Sequence, residues 1–179
     1  MPLTELILGG ARSGKSRYAE QCAQQSKRPV VYIATAQALD PEMDQRILHH
    51  RAQRPAQWTT VEEPVRLAQT LENIALNQSQ ALILVDCLTL WLTNCLLADD
   101  PDCWPREKAA LLAMLQQVHN PQLLVSNEVG HGIVPMGELS RRFVDEAGRL
   151  HQDIAALVPA VTLVVAGIPM AVKRPPQHD

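Results

Sequence analysis

The stretch LILGGARSGKS, residues 6–16, decides the fold of this 179-residue chain. Three aliphatic residues typical of a strand lead into the pattern G-x-x-x-x-G-K-S, the phosphate-binding loop of nucleotide-binding proteins. Glycine lets the backbone turn tightly and bring its N–H groups onto phosphate oxygens, and the loop opens a helix whose N-terminus favours an anion. A chance match in a glycine-rich turn is the alternative, and the strand-like and helical flanks count against it. We therefore predict a nucleotide site in which Lys15 reaches the β- and γ-phosphates and Ser16 binds magnesium.

The composition limits the classes of protein to be considered. With one Phe, two Tyr and three Trp, the core must be largely aliphatic, which suits a sheet buried on both faces. A net charge of -3 gives no reason to expect a nucleic-acid partner. No apolar run reaches membrane-spanning length and no signal peptide is recognisable, so we expect no membrane insertion and a cytoplasmic location. The four cysteines include no C-x-x-C pair, which disfavours zinc and favours free thiols.

Short apolar segments alternate with helical ones along the chain. We predict strands at residues 6–8, 30–34, 81–86, 122–127 and 161–166, and helices at 15–26, 40–53, 63–77, 88–98, 106–118 and 138–157. This alternation predicts an α/β fold with a mostly parallel sheet and helices on both faces. We expect a single domain over residues 1–172 and a C-terminal tail at 173–179.

In such a sheet a ligand binds at the carboxyl ends of the strands. Besides the phosphate loop, that edge should collect Thr35, Asp86, Asn127, Glu128 and Gly167. Asp86 ends four aliphatic residues, so we favour it as a magnesium ligand over a helix cap.

Two further side chains at this edge are candidates for a general base. Glu128 and His131 follow the predicted strand 122–127. The plainer interpretation, which we favour, is that Glu128 caps a turn and His131 is an ordinary loop residue.

Adjacent histidines lie in the predicted helix DPEMDQRILHHR, residues 40–51. At about 100° per residue, His50 shares a face with Met43 and Ile47, where a packed histidine is expected. His49 lies with Arg46 on a polar face, where a neutral imidazole could attack a phosphate. From the residues alone, a solvated surface histidine is the favoured interpretation of His49. A zinc pair is disfavoured because consecutive helical residues do not converge.

Four stretches carry a resemblance to a known family: GGARSGKSRYAE, YIATAQALDPEMDQRILHHRAQRPAQWTTVE, VDCLTLWLTN and VSNEVGHGIVPMGELSRRFVDEAGRLHQ. Together they resemble the bifunctional adenosylcobinamide kinase / adenosylcobinamide-phosphate guanylyltransferase family, over residues 5–168. The resemblance implies a RecA-like P-loop NTPase fold and a homo-oligomer, a trimer.

The resemblance implies two reactions. A nucleoside triphosphate, ATP or GTP, phosphorylates the aminopropanol hydroxyl of adenosylcobinamide. A histidine then attacks the α-phosphate of GTP, and the phosphate of adenosylcobinamide phosphate displaces that histidine to give adenosylcobinamide-GDP.

The resemblance also assigns residues. It places the guanylylated histidine at His49. The catalytic lysine Lys15 and the magnesium ligands Ser16 and Asp86 come from the phosphate-loop motif and the strand end, as given above. The implied nucleotide contacts are Gly9, Gly10, Ala11, Arg12, Ser13, Gly14, Lys15, Ser16, Ala34, Thr35, Ala36, His50, Arg51, Ala52, Gln53, Glu62 and Asp86. The family often has Asn where this chain has His151, a difference that we expect to affect packing or a subunit contact.

Two other functions remain open at this point. One is a simple small-molecule kinase that forms no covalent intermediate. The other is a non-catalytic GTP-binding regulatory module, which is weakened because the chain has no N-K-x-D guanine-reading motif. A preference for guanine therefore comes from the resemblance alone.

Overall fold

The structure is a computed structural model that describes residues 4–37 and 55–174. These residues form seven strands and five helices. In chain order they are β1 (Thr4–Gly9), α1 (Lys15–Gln25), β2 (Val30–Ala34), β3 (Thr59–Glu62), α2 (Leu67–Asn77), β4 (Leu82–Asp86), α3 (Leu88–Leu96), α4 (Cys103–Leu115), β5 (Gln122–Asn127), α5 (Glu138–Leu157), β6 (Ala160–Val165) and β7 (Ile168–Lys173).

All seven strands form one sheet in the order β3-β2-β4-β5-β1-β6-β7. Every neighbouring pair is parallel except β6 and β7, which are antiparallel. The register aligns the carboxyl ends: Gly9 lies opposite Asn127, and Ala34 lies opposite both Glu62 and Asp86. The predicted α/β fold with a mostly parallel sheet is therefore confirmed, and the strand exits meet at one edge.

Helices cover both faces because strand residues alternate between two apolar clusters. Leu6 and Trp91 belong to the larger cluster, which packs beneath α2 to α5. Ile7 belongs to the smaller cluster on the other face, where Ala19 of α1 is fully buried. Each fully buried leucine or isoleucine contributes about 1.5–3 kcal/mol to folding, so aliphatic residues can build this core with few aromatics.

The structure contains two strands, β3 and β7, that the sequence pattern did not predict. β3 has four residues, and its side chains are half-buried or exposed, so it shows no apolar pattern; its pairing with β2 defines it. β7 follows a two-residue turn at Ala166 and Gly167, both with positive φ, as in a tight hairpin. Lys173, assigned above to the tail, is the last residue of β7 and donates hydrogen bonds of 2.7 Å to two carbonyls at the end of α5.

Two helices begin at residues other than the predicted ones. The helix predicted from residue 63 begins at Leu67, because the Glu63 carboxylate accepts the N–H groups of Val65 and Arg66 at 2.9 and 2.7 Å and holds a non-helical turn. The helix predicted from residue 106 begins at Cys103. Pro105 lies in its first turn, where no intrahelical N–H is needed.

Three other observations bear on the expectations above. Each cysteine of the chain is buried as a free thiol, as predicted. Within the described ranges, no helix has the length and apolarity needed to cross a bilayer. The predicted helix at 40–53 lies outside the described residues and stays a prediction.

Candidate nucleotide site

The phosphate loop connects β1 to α1 and is closed by its own backbone. The Ser13 N–H donates to the Gly10 carbonyl at 3.2 Å, and the Tyr18 N–H donates to the Gly14 carbonyl at 2.9 Å. Ala11 and Arg12 form the exposed crest of the loop. Gly14 has φ of 92° and precedes the first residue of α1. A Cβ there would lie 3.1 Å from the Gly167 Cα, so both backbone conformation and close approach require glycine.

Two polar side chains are directed into this loop. Lys15 is only 8% exposed, and its ammonium donates to the Gly10 carbonyl at 3.2 Å, which holds the charge over the loop. The Ser13 hydroxyl is buried and has no hydrogen-bond partner among the described residues. A Cβ on Gly9 would collide with this hydroxyl. Because an unpaired buried hydroxyl is costly, the loop has the features of a site completed by an anionic ligand.

The residues at the carboxyl ends of β2 and β4 are hydrogen-bonded to one another. Thr35, which is fully buried, follows β2 and donates its N–H to the Asp86 carbonyl at 3.2 Å. Its hydroxyl donates to the Cys87 carbonyl at 2.7 Å and accepts the Cys87 N–H at 2.9 Å. The Tyr32 hydroxyl donates to the Asp86 carboxylate at 3.0 Å. These bonds fix the segment 34–36 and Asp86 side by side.

Backbone hydrogen bonds join the residues that follow β5 and β6 to the phosphate loop. The Glu128 N–H donates to the Gly9 carbonyl at 2.9 Å, and the Gly167 N–H donates to the Ser13 carbonyl at 2.8 Å. The structure therefore brings together the described residues that the strand-end rule placed at one edge. Glu62 ends β3 beside Ala34 at the same edge.

Cys87 follows Asp86 at the end of β4, and its side chain is buried. Burial raises the pKa of its thiol to about 11; the nearby Asp86 charge also raises it, and Lys15 acts in the opposite direction. The thiol is therefore protonated at neutral pH and packs as a small apolar side chain.

Glu128 serves as a turn cap rather than a free base. Its carboxylate accepts the Gly130 N–H at 2.6 Å, while His131 is exposed on the loop that follows. These observations favour the interpretation of Glu128 as a turn cap and of His131 as an ordinary loop residue.

His151 is buried and packs against the end of β5. Its Nε2 lies 2.7 Å from the Ser126 hydroxyl, and its Nδ1 lies 3.8 Å from the Glu128 carboxylate. Burial holds the pKa of His151 below its usual value, against the opposing effect of Glu128. The signal was present in α5, where Ala147, Leu150, His151 and Ile154 are all buried at helical spacing. His151 thus supports the end of β5.

Several candidate residues cannot be placed. His49, His50, Arg51, Ala52 and Gln53 lie outside the described residues, so their roles stay predictions. Within residues 4–37 and 55–174, no three His, Cys, Asp or Glu side chains are grouped so as to hold a metal ion by themselves. A magnesium ion bound with a triphosphate needs fewer protein ligands, because phosphate oxygens and water complete its shell.

Solved structures with little sequence identity share the fold. A type III secretion system ATPase of pathogenic bacteria superposes with a TM-score of 0.57 at 10% identity, over 94% of this chain and 56% of that one. A protein from Pyrococcus horikoshii OT3 superposes with a TM-score of 0.53 at 11% identity, over 96% of this chain and 86% of that one. Together with the sheet and its loop, these likenesses show an α/β P-loop NTPase fold.

Close sequence relatives cover nearly the whole chain. The bifunctional adenosylcobalamin biosynthesis protein CobP of Pseudomonas aeruginosa is 58% identical over 174 residues, which span 97% of this chain and 99% of that protein. CobU of Escherichia coli, described in the same words, is 43% identical over 94% of this chain and 98% of its own length. A family model described as cobinamide kinase / cobinamide phosphate guanyltransferase matches residues 5–172. The chain therefore belongs to the cobinamide kinase / cobinamide phosphate guanyltransferase family.

Proposed function

We propose that this bifunctional kinase and guanylyltransferase carries out both of its reactions at one triphosphate site built on residues 9–16, with His49 carrying the guanylyl group between them. The Lys15 ammonium held over the loop beside the unpartnered Ser13 hydroxyl is the observation that carries this proposal. The proposed nucleotide contacts remain those given by the resemblance, from the phosphate loop, residues 34–36, residues 50–53, Glu62 and Asp86.

In the kinase reaction, the aminopropanol hydroxyl of cobinamide attacks the γ-phosphate of ATP or GTP, and the nucleoside diphosphate leaves. The loop N–H groups and Lys15 stabilise the charge that develops on the phosphate oxygens. Since backbone donors in the loop are fixed by its closed turn, little reorganisation is needed when the charge moves.

In the guanylyltransferase reaction, the neutral imidazole of His49 attacks the α-phosphate of GTP. A P–N bond forms, the P–O bond to pyrophosphate breaks, and pyrophosphate leaves. A phosphate oxygen of adenosylcobinamide phosphate then attacks the same phosphorus, and the P–N bond breaks to return the histidine. The covalent intermediate divides a transfer between two anions into two displacements, each with a suitable nucleophile.

Ser16 and Asp86 fit a magnesium ion bound with the triphosphate. Both are half-buried, Ser16 in the first turn of α1 and Asp86 at the end of β4. A serine hydroxyl and a strand-end carboxylate are the protein oxygens that phosphate-loop enzymes use for this ion. Mg²⁺ would neutralise charge on the phosphates.

Labelling with GTP tests the histidine. After incubation with α-³²P-labelled GTP, we expect acid-labile, alkali-stable label on the wild-type protein and on His50→Ala, but none on His49→Ala. Label retained by His49→Ala and lost from His50→Ala would contradict the assignment. An unlabelled wild-type protein that still phosphorylates cobinamide would indicate a simple kinase, and GTP hydrolysis indifferent to cobinamide would indicate a regulatory module.

Domain organisation, assembly and location are parts of the same proposal. A single domain over residues 1–172 is supported by the one sheet that contains every described strand. A homo-oligomer, a trimer by the resemblance, is supported by the edge strand β7, whose Ile168, Met170 and Val172 are exposed. A cytoplasmic location is supported by the four free thiols.

A further inference from the structure

An apolar groove lies between α3 and α5, on the face of the sheet opposite α1. It has a volume of about 330 Å³ and is lined by Leu96, Leu97, Leu139, Phe143 and Val144, with the Thr93 hydroxyl among them. Leu97 is 57% exposed and Leu139 is 51% exposed. Leucines exposed to this extent on two facing helices leave apolar surface for a ligand to cover.

The loop after β5, residues 128–137, extends this apolar surface. Ile133 is 97% exposed and Met136 is 95% exposed, and Pro135 lines the groove itself. The Arg141 guanidinium donates to the carbonyls of Pro135 and Met136, which holds the end of the loop against the start of α5. The exposed apolar side chains therefore belong to a braced segment beside the groove.

A short chain of hydrogen bonds connects the groove to the phosphate loop. The Asn127 amide at the end of β5 donates to the Thr89 hydroxyl at 2.8 Å, and the Thr93 hydroxyl donates to the Thr89 carbonyl at 3.0 Å. Thr93 is one helical turn, about 5.4 Å, beyond Thr89 on α3. The next residue after Asn127 donates its N–H to the Gly9 carbonyl of the phosphate loop. Hydrogen-bonded residues thus link the wall of the groove to the phosphate loop.

We propose that this groove binds the corrin ring of the cobinamide substrate, an inference that rests on the function proposed above. A corrin ring is a broad macrocycle with methyl groups and amide arms around its rim. Leucine and phenylalanine side chains suit its apolar edge, and the hydroxyls of Thr93 and Ser140 can pair with amides. The start of α5 follows β5 at the edge of the sheet where β1 enters the phosphate loop, so the hydroxyl-bearing arm of a ring held here would extend towards the γ-phosphate.

The test compares the double variant Leu97→Asp/Leu139→Asp with Leu76→Asp. Leu76 is 76% exposed at the end of α2 and does not line the groove, so it is a matched control. In the kinase assay we expect the KM for adenosylcobinamide to rise at least about tenfold in the double variant, because a charge replaces each apolar contact. The KM for the nucleotide, and all constants of the control, should stay within about twofold.

Self-guanylylation with labelled GTP needs no corrinoid and therefore reports separately on folding and nucleotide binding. A double variant that takes the label but binds adenosylcobinamide weakly by ultrafiltration supports the groove. An unchanged KM for adenosylcobinamide overturns it. If the double variant changes its sedimentation coefficient, the groove is a contact with a second copy and the inference fails.

Two further outcomes can be distinguished from a failure of the groove proposal. If the double variant does not fold, the milder variant Leu97→Asn replaces it. We then expect a smaller rise in the KM for adenosylcobinamide, and an unchanged KM would again contradict binding in the groove. If the wild-type protein takes no label from GTP, the histidine proposal fails while the KM comparison still decides the groove.

Discussion

Two loops leave the same edge of the sheet and are built in opposite ways. The phosphate loop, residues 9–16, is made of backbone hydrogen bonds and has a buried ammonium and a buried hydroxyl at its centre. The loop after β5, residues 128–137, carries exposed Ile133 and Met136 and is braced mainly through one arginine. The two lie next to each other, since the Glu128 N–H bonds to Gly9.

The difference follows from what each loop has to bind. Phosphate oxygens need many fixed N–H donors and a positive charge, and these come from a turn of defined geometry. A large amphipathic ring needs apolar area, which side chains of many kinds can supply. A short sequence motif therefore identifies a phosphate-binding loop, whereas an apolar surface for a large ring has no characteristic motif.

The largest effect should come from the phosphate loop, which serves both reactions. We expect Lys15→Ala to lower kcat/KM at least about a hundredfold for the kinase and the guanylyltransferase alike, because the charge on the phosphates is no longer neutralised. Steady-state assays of the two reactions measure this. Lys27→Ala, which removes an exposed positive charge beyond the other end of α1, is the control and should behave as wild type. Guanylylation that survived Lys15→Ala would mean that the two reactions do not share a site.

A smaller and more selective effect is expected from the loop after β5. Arg141→Ala removes the two bonds to the Pro135 and Met136 carbonyls. We expect the KM for adenosylcobinamide to rise about threefold to tenfold, since each bond to a charged group contributes about 1.5–3 kcal/mol at most and Arg141 is exposed. The KM for GTP should not change. Arg142→Ala, the neighbouring exposed arginine, is the matched control, and an equal effect there would rule out bracing by Arg141.

The smallest expected effect is on the free energy of unfolding. It comes from His151 and depends on pH. Burial lowers the pKa of His151 in the folded protein, and Ser126 and Glu128 are the groups it faces. The unfolded chain therefore binds a proton first as the pH falls below about 6.5, so stability is complete above that pH and declines below it, by at most about 1.4 kcal/mol per pH unit.

Replacement of His151 by asparagine tests this. We expect His151→Asn to flatten the decline in the free energy of unfolding between pH 7.5 and 5, measured by urea denaturation. His131→Asn changes an exposed histidine of the loop after β5 and should keep the wild-type slope. If His151→Asn kept the full slope as well, the buried histidine would not be its source.

The phosphate loop and the strand-end residues could be predicted because the sequence encodes them locally. Gly14 and Lys15 belong to a spacing that is typical of one backbone conformation, the phosphate-binding loop. Thr35 and Asp86 follow apolar runs, and the parallel arrangement of the strands then brings their ends together. These inferences need no knowledge of side-chain packing.

The remaining features depend on tertiary contacts that no local pattern specifies. Pro169 interrupts the sequence of β7, so that the strand is defined only by pairing with β6. The groove combines residues from α3 and α5 that are more than forty positions apart in the chain. His151 could have been assigned to the buried face of α5, but its partners Ser126 and Glu128 lie on another element.

The turn at Ala166 and Gly167 has a consequence for how the enzyme matures. Its glycine amide bonds the Ser13 carbonyl, and its Cα fills the space beside Gly14. During synthesis the ribosome releases the phosphate loop first and this turn more than 150 residues later. The contact between this turn and the phosphate loop can therefore form only after residue 167 has been synthesised, so a polypeptide terminated before that residue would lack it.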